Sequence, residues 1–140
     1  MDLSNRTILI TGSSDGIGKV LAIEFSKLGS NIILLGRDSS KLDQVYDQLD
    51  RSFKSQKHLI LQADLALLDN ESAHEILRAI TEEFISLDGI IHNAAILGSM
   101  TTLEDYELSR WDEVLNINLR APFLLTKTLK TILERSKLPR

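Results

Sequence analysis

TILITGSSDGIGKVL, residues 7–21, is the stretch whose reading decides the fold. A short apolar run, Ile8-Leu9-Ile10, passes into a turn holding Gly12, Gly16 and Gly18, and a helical pattern follows. Strand, glycine turn and helix in that order are the setting in which a glycine-rich motif means a phosphate site. The glycines remove side chains that would block a close backbone approach. The new helix then aims its free N–H groups and the positive end of its dipole at an anion. A dinucleotide pyrophosphate fits such a place.

Working outward, the chain keeps switching between short apolar runs and longer helical stripes. Val20, Leu21, Ile23, Phe25 and Leu28 mark the first helix, which Gly29 stops. Ile32-Ile33-Leu34-Leu35 is a second run ending at Gly36, after which Ser39 or Ser40 caps a helix carrying Leu42, Val45, Tyr46 and Leu49. Leu59-Ile60-Leu61 leads through Ala63-Asp64-Leu65 into a helix with Ile76, Leu77, Ile80 and Phe84 on one face. Ile90-Ile91 is the fourth run, closing at His92-Asn93, and a long helix is predicted from about Trp111 to about Leu133.

Strands alternating with helices give right-handed βαβ units, hence a parallel sheet covered on both faces, which is why the runs are apolar throughout. The expected fold is a doubly wound α/β domain over residues 1–140 with strand order 3-2-1-4, its site at the carboxyl ends of strands 1 and 4. No strand follows the last helix, so strand 4 would be left as an exposed edge, and the expectation is a domain cut short there.

Composition narrows the function. At 140 residues and 43% hydrophobic the chain is the size of one globular domain. The 16 basic and 20 acidic residues leave a net charge of −4, against a nucleic-acid binder. Zero cysteines exclude disulfides, thiolate metal sites and a cysteine nucleophile, and suit a reducing cytoplasm. His58, His74 and His92 lack ligand spacing, so no metal site is expected. The first residues lack a signal-peptide core, and no apolar run reaches the ~20 residues of a membrane span.

Four motifs in order resemble the N-terminal part of the short-chain dehydrogenase/reductase family, along essentially the whole chain. The family's TGxxxGxG matches Thr11-Gly12-Ser13-Ser14-Asp15-Gly16-Ile17-Gly18. Its NNAG matches His92-Asn93-Ala94-Ala95, its acidic residue after strand 3 matches Asp64 with Leu65 following, and its first catalytic asparagine matches Asn118 in Ile117-Asn118-Leu119. The resemblance implies a Rossmann fold and an NAD(P)-dependent oxidoreductase moving hydride between nicotinamide and a carbonyl or alcohol carbon. It implies that the glycines seat the pyrophosphate, Asp64 contacts adenine, and Asn93 and Ala94 flank the riboses. It also implies a dimer interface on the last helix, where Leu115, Leu119, Phe123, Leu124 and Leu125 are more apolar than one sheet face needs.

Alternatives stand beside these roles. Thr11, Ser13 and Ser14 equally suit capping the following helix, and Asp64 equally suits capping the next one. At the end of strand 2, Gly36 leaves no acid for a ribose 2′-hydroxyl, and Arg37 follows, which favours NADP over NAD. A solvated Arg37 paired with Asp38 or Asp15 is the plainer reading. Trp111 is expected to anchor the last helix in the core.

The family's catalytic Ser and Tyr-x-x-x-Lys have no match: Tyr46 and Tyr106 are the only tyrosines, with Asp50 and Arg110 four residues on. The expectation is therefore the cofactor-binding part of an oxidoreductase, without turnover of its own and without a substrate it can act on alone. The alternative is a non-catalytic nucleotide-binding or oligomerisation module.

Overall fold

The apolar runs become strands β1 (Thr7–Thr11), β2 (Asn31–Gly36), β3 (His58–Gln62) and β4 (Gly89–Ile91). Between and after them come helices α1 (Gly16–Lys27), α2 (Ser39–Tyr46), α3 (Asn70–Glu83), α4 (Leu108–Leu115) and α5 (Ala121–Leu133). The structure is a computed structural model and describes residues 3–140. The four strands are parallel in the order β3-β2-β1-β4, as the βαβ reading expects. Thr11 pairs with Leu35 and Leu35 with Leu61, so the strands finish at one level and their following turns share one edge of the sheet.

Alternate strand residues face opposite layers. Leu9, Ile33 and Leu35 meet Ile76 and Ile80 of α3 and Leu125 and Leu129 of α5. Ile10, Ile32 and Leu34 meet Ala22 of α1 and Leu42 and Val45 of α2. Every one of these side chains is buried. That explains the unbroken apolar runs of β1 and β2, whose residues are buried on both faces of the sheet.

Four details differ from the sequence reading. Asp38, not Ser39 or Ser40, caps α2: its carboxylate accepts the Lys41 N–H at 3.0 Å, and its charge suits the helix dipole. Trp111 does not anchor the core; it is 53% exposed and stands edge-on to Tyr106, because α4 buries none of its residues. The single long helix is interrupted by a π turn at Asn116–Arg120, where the Ala121 N–H reaches back five residues to the Asn116 carbonyl. Pro122 stands just beyond this turn and has no N–H to give the Asn118 carbonyl, a setting in which a helix widens by one residue instead of continuing regularly.

The fourth concerns the outer edge of β4. Arg140 donates its N–H to the Asp88 carbonyl at 2.9 Å and accepts from the Ile90 N–H at 3.1 Å, a one-residue parallel pairing beside Gly89. Among the described residues the edge is covered at that point only. Nearby, the Asp88 carboxylate receives Arg6, the Thr7 N–H and the Ser136 hydroxyl, at 2.8, 2.9 and 2.7 Å. Of the last helix, Leu124 and Leu125 enter the core, whereas Leu119 and Phe123 are 65% and 66% exposed.

Candidate functional site

A cleft of about 700 Å³, open to solvent, lies at the carboxyl ends of β1, β2 and β3. Gly12 and Ser14 form one wall, Gly36 and Arg37 a second, and Asp64 and Leu65 a third, while Asn93, Ala94 and Ala95 close it from the β4 side. Four separate stretches of sequence thus converge where a doubly wound sheet places its ligands.

The glycine turn is held from behind. The Asn93 amide donates to the Thr11 and Gly12 carbonyls, both at 3.1 Å. The Thr11 hydroxyl accepts the Asn93 and Ala94 N–H groups, also at 3.1 Å. Gly12 has φ 63°, and a Cβ there would sit 2.8 Å from Ala94 Cα. Gly18 is tighter still, with the Gly12 carbonyl oxygen 2.4 Å from where its Cβ would be. These two glycines let the turn press against the segment after β4. Gly16, at φ 53°, differs: a methyl group there would meet nothing within 4 Å. The open space beside it, at the start of α1, is what an incoming phosphate needs.

The other predicted residues take definite places. Ser13 is fully buried, its N–H and hydroxyl both directed to the Leu35 carbonyl, and Thr11 is likewise buried, so both hydroxyls serve the sheet. Ser14 faces the cleft. None of the three caps α1; Asp15 does, its carboxylate accepting the Gly16 N–H at 2.8 Å. Ile17 is exposed in the first turn of α1. Asp64 closes a local turn onto the Ala66 N–H at 2.9 Å and leaves the capping of α3 to Asp69.

Arg37 is exposed, and its carbonyl is held at 3.0 Å by the Gln62 amide. Neither carboxylate expected to neutralise it does so: Asp38 caps α2, and Asp15 pairs with Lys41 at 3.7 Å. Among the described residues no carboxylate pairs with it, so a guanidinium at the rim of the cleft can meet an anion.

Asn118 stands apart from the cleft lining. Its amide grips the backbone of Ile96 twice, accepting the N–H and donating to the carbonyl, each at 2.9 Å. Through that clamp Ile96 and its neighbour Ile117 become part of the cleft floor. Sequence reasoning missed both, since nothing local to either residue shows that the π turn would bring them there. His92, the departure from NNAG, shares a hydrogen bond of 2.9 Å with Thr126 on α5. Among the described residues no three His, Asp or Glu side chains are grouped to hold a metal, and no helix is long and apolar enough to cross a membrane.

Comparison with known proteins gives a consistent result. The family model described as "short chain dehydrogenase" matches residues 6–137. An uncharacterized oxidoreductase of Escherichia coli K12, YciK, is 34% identical over 134 residues, covering 96% of this chain and 53% of its own. A crystal structure of a short chain dehydrogenase from Escherichia coli CFT073 complexed with NADPH superposes with TM-score 0.89 at 34% identity, covering 97% of this chain and 57% of that one. Another, from Shigella flexneri 2a complexed with NADP, gives TM-score 0.85 at 35% identity, with 97% and 57% covered. The chain thus spans about half the length of these relatives.

Proposed function

Because the chain belongs to the short-chain dehydrogenase family, we propose that it is an NADP-binding domain of an oxidoreductase that moves hydride between the nicotinamide and a carbonyl or alcohol carbon. The observation that carries the reading is the meeting, in one cleft, of the glycine turn at Gly12 and Ser14 with Arg37, which no carboxylate of the described residues neutralises. NADP supplies the hydride carrier; the protein supplies its binding and orientation. Gly12, Gly16 and Gly18 shape the pyrophosphate seat, with Ser14 and Ile17 beside it. Arg37 takes the 2′-phosphate in preference to a bare 2′-hydroxyl. Asp64 and Leu65 border the adenine, and Asn93, Ala94 and Ala95 border the riboses. Asn118 acts at one remove, by fixing the loop at Ile96.

Two liganded relatives at 34% and 35% identity, one with NADPH and one with NADP, support the cofactor assignment. The chain's own 140 residues contain no Tyr-x-x-x-Lys to deliver a proton to a carbonyl oxygen. The same 140 residues, purified, are therefore expected to bind cofactor without turnover, and NADPH-dependent carbonyl reduction above buffer would refute this. In the cell the setting proposed is the cytoplasm. Leu119 and Phe123, exposed on one face of the last helix, favour self-association there. Fluorescence titration with NADPH and NADH tests the central claim: tighter NADPH binding that Arg37→Gln abolishes is expected, and equal affinities in the unaltered protein would overturn it.

A further inference from the structure

We propose that Lys41 is a second residue selecting the phosphorylated cofactor, parked on Asp15 until a 2′-phosphate enters beside Arg37 and draws it away. The proposal rests on the NADP reading of the cleft, beside which an ion pair joins the glycine turn to α2. Lys41 lies in the first turn of α2, its backbone N–H fixed by Asp38 at 3.0 Å. Its ammonium reaches across to Asp15, 3.7 Å away, on the glycine turn. Asp15 in turn holds the Gly16 N–H at 2.8 Å. The pair thus ties the residue just before α1 to α2, the helix that follows the turn carrying Arg37. The first two walls of the cleft are close: the Ser14 hydroxyl lies 3.7 Å from where a Cβ on Gly36 would be.

The pair is poorly suited to a purely structural task. Its side chains are 53% and 81% exposed, and its separation is near the long limit for an ion pair. Exposed pairs of this kind contribute little to stability, so the lysine is easily exchanged to another anion. A phosphate monoester carries nearly two negative charges at neutral pH. One guanidinium leaves part of that charge uncompensated, and a flexible ammonium with three donors meets the remainder. NAD carries a hydroxyl at that place and gives Lys41 no reason to leave Asp15. The Asp15 carboxylate, for its part, repels the incoming phosphate and competes for the lysine. The same pair accordingly sets both the preference and its ceiling.

Titrations of NADPH and NADH with Lys41→Gln and Asp15→Asn test the assignment, the asparagine keeping the cap of α1. Lys41→Gln is expected to weaken NADPH about fivefold and leave NADH unchanged, with the loss fading at high salt. Asp15→Asn is expected to strengthen NADPH about threefold, an effect that vanishes when Lys41→Gln is added. If the unaltered protein prefers NADPH but Lys41→Gln changes neither affinity, or both equally, the assignment of Lys41 is overturned and the NADP reading stands. If the unaltered protein shows no preference for NADPH, the NADP reading falls and this inference with it.

Discussion

A methyl group added at Gly18 would lie 2.4 Å from the Gly12 carbonyl oxygen and 2.5 Å from the Asn93 amide nitrogen. Gly18→Ala must push the turn off the segment after β4, and a loss of about 1–3 kcal/mol in stability is expected by denaturant titration. Gly16→Ala meets open space, and its cost comes only from the left-handed backbone, roughly 1 kcal/mol. On the proposed pyrophosphate seat, it should fold and still bind NADPH about tenfold more weakly, because the methyl group would stand in the approach of the phosphate. The opposite ranking, with Gly16→Ala the less stable and Gly18→Ala the weaker binder, would reverse the roles of the two glycines. That a glycine-rich turn joins β1 to α1 was legible in residues 7–21. Which of its glycines serves packing was not, because the atoms that crowd Gly18 include Asn93, brought there only by the pairing of β1 with β4.

The last helix shows how an element can be read correctly and still conceal its working part. Its span followed from periodicity, but its buried face did not, since Leu124 and Leu125 enter the core and Trp111 does not. The π turn did not follow either; Pro122, just beyond it, has no N–H for the Asn118 carbonyl. Asn118→Ala leaves the Ile96 N–H and carbonyl without their partner, so amide exchange at Ile96 should quicken, with about 1–2 kcal/mol lost in stability. Unchanged exchange there would mean the clamp is not what orders the loop. Strand β3 holds a second concealed device. His58 accepts the Ile32 N–H on Nδ1 and donates from Nε2 to the Asp50 carbonyl, an arrangement only the neutral ring can make. Burial lowers its pKa below the ordinary 6.5, helped by nearby Arg51 and opposed by the Asp50 carbonyl and carboxylate. Unfolding therefore raises its proton affinity, so its stabilising effect is complete above pH 6.5 and is lost as pH falls through the folded value. Melting temperatures recorded from pH 7.5 downward should decline through this window, and the decline should be shallower in His58→Gln.

For the molecule as a whole, strand order was legible because four apolar runs joined by helices admit few right-handed arrangements. The contacts beside its open edge were not, since a one-residue pairing by Arg140 and the convergence of Arg6, Thr7 and Ser136 on Asp88 leave no pattern in sequence. Burial disfavours the charged form of Asp88, but hydrogen bonds from Ser136, the Thr7 N–H and Arg6 outweigh it and hold the carboxyl below its ordinary 3.8. Its contribution is thus present above pH 3.8 and lost as pH drops through the folded value, giving an acid transition that Asp88→Ala should remove. That variant also leaves the buried Thr7 N–H without its partner and should lose about 1–3 kcal/mol at neutral pH by denaturant titration. An unaltered acid transition in Asp88→Ala would locate it elsewhere.

The brace between Thr11 and Asn93 spans 82 positions of chain. On a ribosome adding about 5–20 residues per second, the glycine turn emerges roughly 4–16 s before the asparagine that locks it. Throughout that interval β1 to β3 have no partner for the β1 edge, and nothing that depends on the finished turn can act on the nascent chain. Slow codons placed between the two would lengthen the exposure, and fast ones would shorten it, without altering a single contact in the product.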